Sequence, residues 1–190
     1  SFATGKDYYA LYRLNKAEYQ AQRAIEARRA VNSSVELYRK FLDPATELAH
    51  GIPLLLKALD NLVNYPDMEL VYDDGRNIYN DLQSSLQALG SELCVTFEED
   101  RIATKARLSQ TQYARASVLH RGTACPNIPL ICGFDEGEGL LSSSLITDRK
   151  GESLLEIRQV ISSQSPQRIR LEIDKNAFIN DSYSSAVKRM

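Results

Sequence analysis

Apolar residues recur every three or four positions as far as Leu93 and at every second position beyond Cys94, and this change of period constrains the fold more than any motif. Ala17, Ala21, Ala24, Arg28, Val31, Val35, Tyr38 and Leu42 keep 4,3 spacing, with Arg28 the single charge among them. They predict one long amphipathic helix from Asn15 to Leu42. Asn15 is its expected N-cap, and Glu18 three residues later makes an imperfect capping box. Asp43-Pro44 stops it. Leu48, Ile52, Leu55, Leu59 and Leu62 predict a second helix, with a kink or break near His50 to Pro53 where Gly51 and Pro53 interrupt the backbone. "NYPDMELVYDDGRN" reads as a loop, and Ile78, Leu82, Leu86, Leu89 and Leu93 predict a last helix. Helices with one apolar stripe and short connections pack antiparallel, so 15–93 is expected to be a helical hairpin or small bundle.

Beyond Cys94, "CVTFEED" and "RIATKARL" alternate, "ASVLH" and "IPLICGF" are short apolar runs, and "SLLEIRQV" and "RIRLEI" complete a series spaced like the strands of a β-sandwich. In "TDRKG", Asp148 can close a turn through its side chain and Gly151 can take a positive φ, so the segment is expected to join two antiparallel strands. At the other end of the chain "DYYALYRL" alternates as well and reads as an edge strand, either of the sandwich or of a preceding α/β domain. The expected fold is α+β: an edge strand in 1–14, a helical arm over 15–93, and an antiparallel immunoglobulin-like β-sandwich over 94–190.

With 43% hydrophobic residues, a chain of 190 can bury a core. Its charge is balanced: residues 1–93 carry a net −3 and 94–190 a net +1, so neither half offers the basic face that nucleic acid requires. The longest apolar run, Ile52 to Leu56, is far shorter than the roughly 20 residues that span a bilayer. The chain begins at Ser1 without Met and without a signal pattern, so it is expected to be a fragment or a mature chain, with any membrane anchor outside it.

Chemistry-bearing residues are few. Cys125 and Cys132 enclose "PNIPLI" and are candidates for a disulfide, the alternative being two buried thiols. His120 with Cys125 could make a nucleophilic pair, although no orienting group or oxyanion-hole motif accompanies them. A metal site from His120, Cys125 and Cys132 would have H-x4-C-x6-C spacing, unlike zinc knuckles, and neither a metal nor a cofactor is expected. "GEGLLSSS" lacks the lysine and order of a phosphate loop, and no G-x-S-x-G elbow occurs. Ten tyrosines without tryptophan would suit a small-ligand or glycan platform only if two or more gathered in one concave site. Arg23, Arg28 and Arg29 with Glu18, Glu26 and Glu36 give the first helix a mixed charged face that can be solvated or can dock a partner.

The order of parts, "DYYALYRLNKAEYQ", then Ala-rich and Leu-rich helices, then "GEGLLSSSLITDRKGESLLEI", resembles the C-terminal portion of bacterial envelope proteins of the LPP-twenty lipoprotein type. In that family a small α/β domain ends in a strand read as "YYVLVRL", a helical arm follows, and an immunoglobulin-like domain with a "TD-x-x-G" turn closes the chain. Tyr8 to Lys16 match the first element, and Thr147, Asp148 and Gly151 the last. The resemblance implies a non-catalytic protein of the periplasm or outer membrane and names no partner; the expected partners are other envelope proteins. Its contacts are expected in sandwich loops, at Phe134, Asp135 and Glu136 and at Asp148, Arg149 and Lys150, with a homo-oligomer through the first helix a further expectation. The competing readings are a hydrolase built on His120 and Cys125, and a ligand- or glycan-binding sandwich.

Overall fold

The computed structural model describes residues 15–72, 74–99, 101–102, 111–161, 166–179 and 183. The strand expected at 8–14, and most of the alternating segment at 101–108, lie outside the described residues.

Helix α1, Lys16–Leu42, begins where expected: the Asn15 side chain accepts the Ala17 N–H at 3.1 Å, meeting one of the donors that a helix start leaves without an intrahelical partner. Helix α2 spans Leu48–Leu62 without the break expected near Pro53. Proline removes one N–H near the helix start, and the apolar face on either side stays buried, with Leu55, Leu59 and Leu62 in the core. Gly51 is buried and gives the Phe41 ring room, since a Cβ there would lie 3.1 Å from that ring. A turn through Gly75, at φ +83°, brings Val71 opposite Asn77, whose side chain caps helix α3, Ile78–Glu92.

The apolar stripe of α1 faces α2 in a different phase from the one expected. Ala27, Val31 and Ser34 are buried, whereas Ala17, Ala21, Ala24, Arg28 and Leu42 are exposed. The reason lies in α2, which approaches along the small residues: the Ser34 hydroxyl donates to the Ala58 carbonyl at 2.8 Å, and Asn61 donates to Ser33. Arg23, expected on a charged docking face, instead ties α1 to the end of α2. It donates to the Asn64 carbonyl and to Asp67 at 2.7 Å, and lies over the Tyr65 ring.

No linker separates helices from sheet, because α3 ends at Glu92 and strand β1, Leu93–Phe97, starts at the next residue. The remaining strands are β2 (Gln112–His120), β3 (Thr123–Ala124), β4 (Pro129–Glu136), β5 (Gly139–Leu141), β6 (Ser144–Ile146), β7 (Glu152–Val160) and β8 (Arg168–Ile173). They form two antiparallel sheets, β1-β2-β7-β5 with β3 on β2, and β6-β4-β8. The first has the A-B-E-D order of an immunoglobulin sheet and β4 with β8 corresponds to its C-F pair. Between β5 and β6 the chain passes from one sheet to the other: the Ser142 N–H bonds to Glu156 of β7, while the Ser143 carbonyl accepts from Cys132 of β4. That crossing closes one side of the sandwich with backbone hydrogen bonds.

Leu55, Leu59, Leu62, Ile78 and Leu82 of the helices share one buried cluster with Val118, Ile128 and Leu130 of the sandwich. A second cluster, around Ala114, Cys132, Leu155 and Ile157, fills the rest of the sandwich. Tyr183 packs against the first, its hydroxyl donating to the Pro53 carbonyl at 3.3 Å.

Candidate interaction site

Part of the apolar stripe of α1 lines a groove of about 880 Å³ between α1 and α3. On α1 its wall runs from Arg28 through Val31, Val35 and Tyr38 to Leu42, fifteen residues spanning about 21 Å of helix. The opposite wall comes from the turn at Val71 to Arg76 and from Asp81, Ser84, Ser85 and Ala88. The walls meet where the Tyr38 and Ser85 hydroxyls lie 2.7 Å apart.

On the wall opposite α1, three charges gather. Arg76 pairs with Asp74 at 2.9 Å, reaches Asp81 at 3.9 Å, and lies over the Tyr72 ring at 5.1 Å. The Tyr72 hydroxyl is pushed up to about 12, first by burial and then by the neighbouring Asp81 carboxylate, so it stays a neutral hydrogen-bonding group at physiological pH. The trough mixes apolar side chains of α1 with the Arg76, Asp74 and Asp81 group of the opposite wall. The signal for it in the sequence was the 4,3 stripe itself.

The sandwich residues proposed for contacts fall into two places. Phe134, Asp135 and Glu136 are not in a loop: they end strand β4, where Phe134 pairs with Ile169 and Glu136 with Arg168, because the alternation of "IPLICGF" runs on through them. Asp148, Arg149 and Lys150 do form an exposed turn, but beside Asn127 and Ile128, which lead into the other end of β4. Seven residues of strand, about 23 Å, separate the two places.

The turn at 147–151 has the chemistry expected of it. The Asp148 carboxylate accepts the N–H groups of Lys150 and Glu152, which hold its pKa below the usual carboxylate range. Gly151 has φ +72°, and a Cβ there would lie 2.8 Å from the Val118 carbonyl and the Cys125 nitrogen. Thr147, fully enclosed, accepts the Ile128 N–H at 2.8 Å and donates to the Cys125 carbonyl at 2.6 Å. All three therefore build the fold. The strands they join, β6 and β7, lie in different sheets.

Cys125 and Cys132 are not bridged. Their thiols point to different partners, Cys125 to the Thr123 carbonyl and Cys132 to that of Ser142, and they belong to different core clusters. Burial pushes both thiols up, opposite to what activates a nucleophile. The His120 ring pairs with Glu92, Nε2 to Oε2 at 3.1 Å. Arg121 holds the same carboxylate through two bonds of 2.8 Å, and this clasp fastens the α3–β1 joint to the β2–β3 turn. His50 is exposed near Glu47. Tyr38 and Tyr72 gather in the groove of the helical half rather than on the sandwich, where Tyr113 is exposed on the outer face of β2.

No protein-family model matches the chain, and neither does any curated protein sequence. Among solved structures, the chain is similar to the D00-D0 domain of Intimin, at 18% identity over 43% of this chain and 46% of that one, with a TM-score of 0.31. Among the described residues no helix is long and apolar enough to cross a membrane. The architecture is α+β, a three-helix unit continuous with an antiparallel, sandwich-like pair of sheets.

Proposed function

We propose that this chain is a non-catalytic module of the bacterial cell envelope, in the periplasm or at the outer membrane, that holds other proteins through the groove between α1 and α3. The observation that carries this reading is the groove: about 21 Å of helix along which Val35 and Tyr38 stay half-buried and Leu42 exposed, beside a wall on which Arg76 pairs with Asp74. The sandwich serves as its rigid base, since one core runs from α2 into the sheets. The envelope setting is supported by the resemblance to LPP-twenty lipoproteins, carried by Tyr8 to Lys16 and by Thr147, Asp148 and Gly151.

Complementation of a strain lacking the protein separates this reading from the hydrolase one. Leu42→Glu places a charge in the groove at a residue already 56% exposed, so the chain folds and the function is lost. A chain carrying His120→Ala with Cys125→Ser retains function. The opposite pair of results would move the site to His120 and Cys125 and overturn the proposal.

A further inference from the structure

We infer that the occupant of the groove is helix α1 of a second copy, paired antiparallel to the first about Arg28; this rests on reading the groove as a contact site. The stripe along α1 is asymmetric in size. Its first half is small, Ala17, Ala21 and Ala24, and its second half is large, Val31, Val35 and Tyr38. A two-fold axis near Arg28 sets Ala21 against Val35 of the second copy and Ala17 against Tyr38, while Val31 stays enclosed in its own chain. Each of the two half-buried large side chains then meets a small one, twice over, as the self-complementary interface of a symmetric dimer requires.

The exposure of α1 fits this arrangement. Residues 16–22 are all exposed, beyond the Arg23 tie to the end of α2, so the small half of the stripe is available to enter a groove. Ile25, half exposed, flanks the stripe next to the proposed axis. Charge agrees at the ends of the pairing, where Glu18 comes opposite Arg39 of the second copy, and disagrees at its centre, where the two Arg28 side chains face each other. Paired helices contribute a strip about 10 Å wide and about 32 Å long per copy. That strip is smaller than the roughly 800 Å² per partner of a standard interface, which is the size of a weak, concentration-dependent dimer.

Sedimentation equilibrium on the full chain, at protein concentrations up to about 100 μM, reads the pairing directly. A dimer is expected, weakened about 100-fold by Ala21→Glu with an unchanged circular dichroism spectrum. In a chain carrying Ala21→Cys and Val35→Cys, oxidation is expected to form 21-to-35 bonds between copies, mapped by peptide mass. Ala21→Cys alone forms none with itself, because in antiparallel pairing the two positions lie about 21 Å apart. A monomer throughout, a dimer indifferent to Ala21→Glu, or 21-to-21 bonds would each overturn the inference. Loss of function in Leu42→Glu together with a monomeric wild-type chain would leave the groove as a contact site for a different protein and remove only the second copy.

Discussion

Toward α2, helix α1 meets its neighbour through Ala27, Ser34 and the Phe41 ring seated over Gly51, whereas toward α3 the same helix leaves an open trough lined by Val35, Tyr38 and Leu42. Both faces carry apolar residues at helical spacing. What separates them is the size of the side chains relative to the neighbour: small residues let α2 come close enough for the Ser34 hydroxyl to reach the Ala58 carbonyl at 2.8 Å. On the α3 side, the Tyr38 hydroxyl bridges to Ser85 and props the helices apart. Helical spacing marks a face as buriable, and side-chain size decides which of two such faces the chain buries itself.

The largest effects are expected on the closed side. Leu59→Asp puts an unpaired charge where the native side chain is wholly enclosed, in the cluster that helices and sandwich share. It should remove more than about 5 kcal/mol and unfold both halves together in urea. A sandwich that keeps its own transition would break the claim of a single core. Thr147→Val, nearly isosteric, leaves the enclosed Ile128 N–H without its acceptor and should cost about 1–3 kcal/mol, while Thr147→Ser, which keeps both hydrogen bonds, should cost far less. Equal losses in the two variants would mean that the methyl group, not the hydroxyl, matters there. Ser34→Ala should cost about 1 kcal/mol, as one hydrogen bond between α1 and α2 disappears.

A smaller effect comes from the clasp at the joint of helices and sheet. Arg121, with the His120 ring adding to it, holds the Glu92 carboxylate below its ordinary value of about 4.3. A carboxylate depressed in the folded state contributes stability that is fully present above its unfolded pKa and is lost as pH falls through its folded pKa. Melting temperatures followed from pH 7 downward should therefore show a shallower acid decline in Glu92→Gln than in the wild-type chain. Parallel declines would mean that the clasp carries no stability.

Much of this fold was legible as period. Asn15 capped the first helix as expected, the third runs Ile78–Glu92, and β1, β2, β4, β7 and β8 overlap five of the segments read as strands from alternation or as short apolar runs. Phase was not legible, because α1 has Ala, Val and aromatic residues over too wide an arc for sequence alone to say which side α2 takes. Pro53 reads as a break, yet the buried Leu55 and Leu59 carry the helix through it. The crossing at Ser142 and Ser143 depends on backbone bonds to two different sheets, which no local pattern encodes. For the candidate site, the stripe and Arg28 were visible as residues. Their role as one wall of a groove needed Tyr72, Asp81 and Ala88, which come from a loop and a helix far away in sequence.

The most direct test compares two alanines three residues apart, Ala24 on the open stripe and Ala27 against α2. Urea unfolding of Ala24→Glu and Ala27→Glu, in protein dilute enough to be monomeric, should leave the first within about 0.5 kcal/mol of wild type and lower the second by about 3 kcal/mol or more. The reverse order would put Ala24 in the core and contradict an open face on α1.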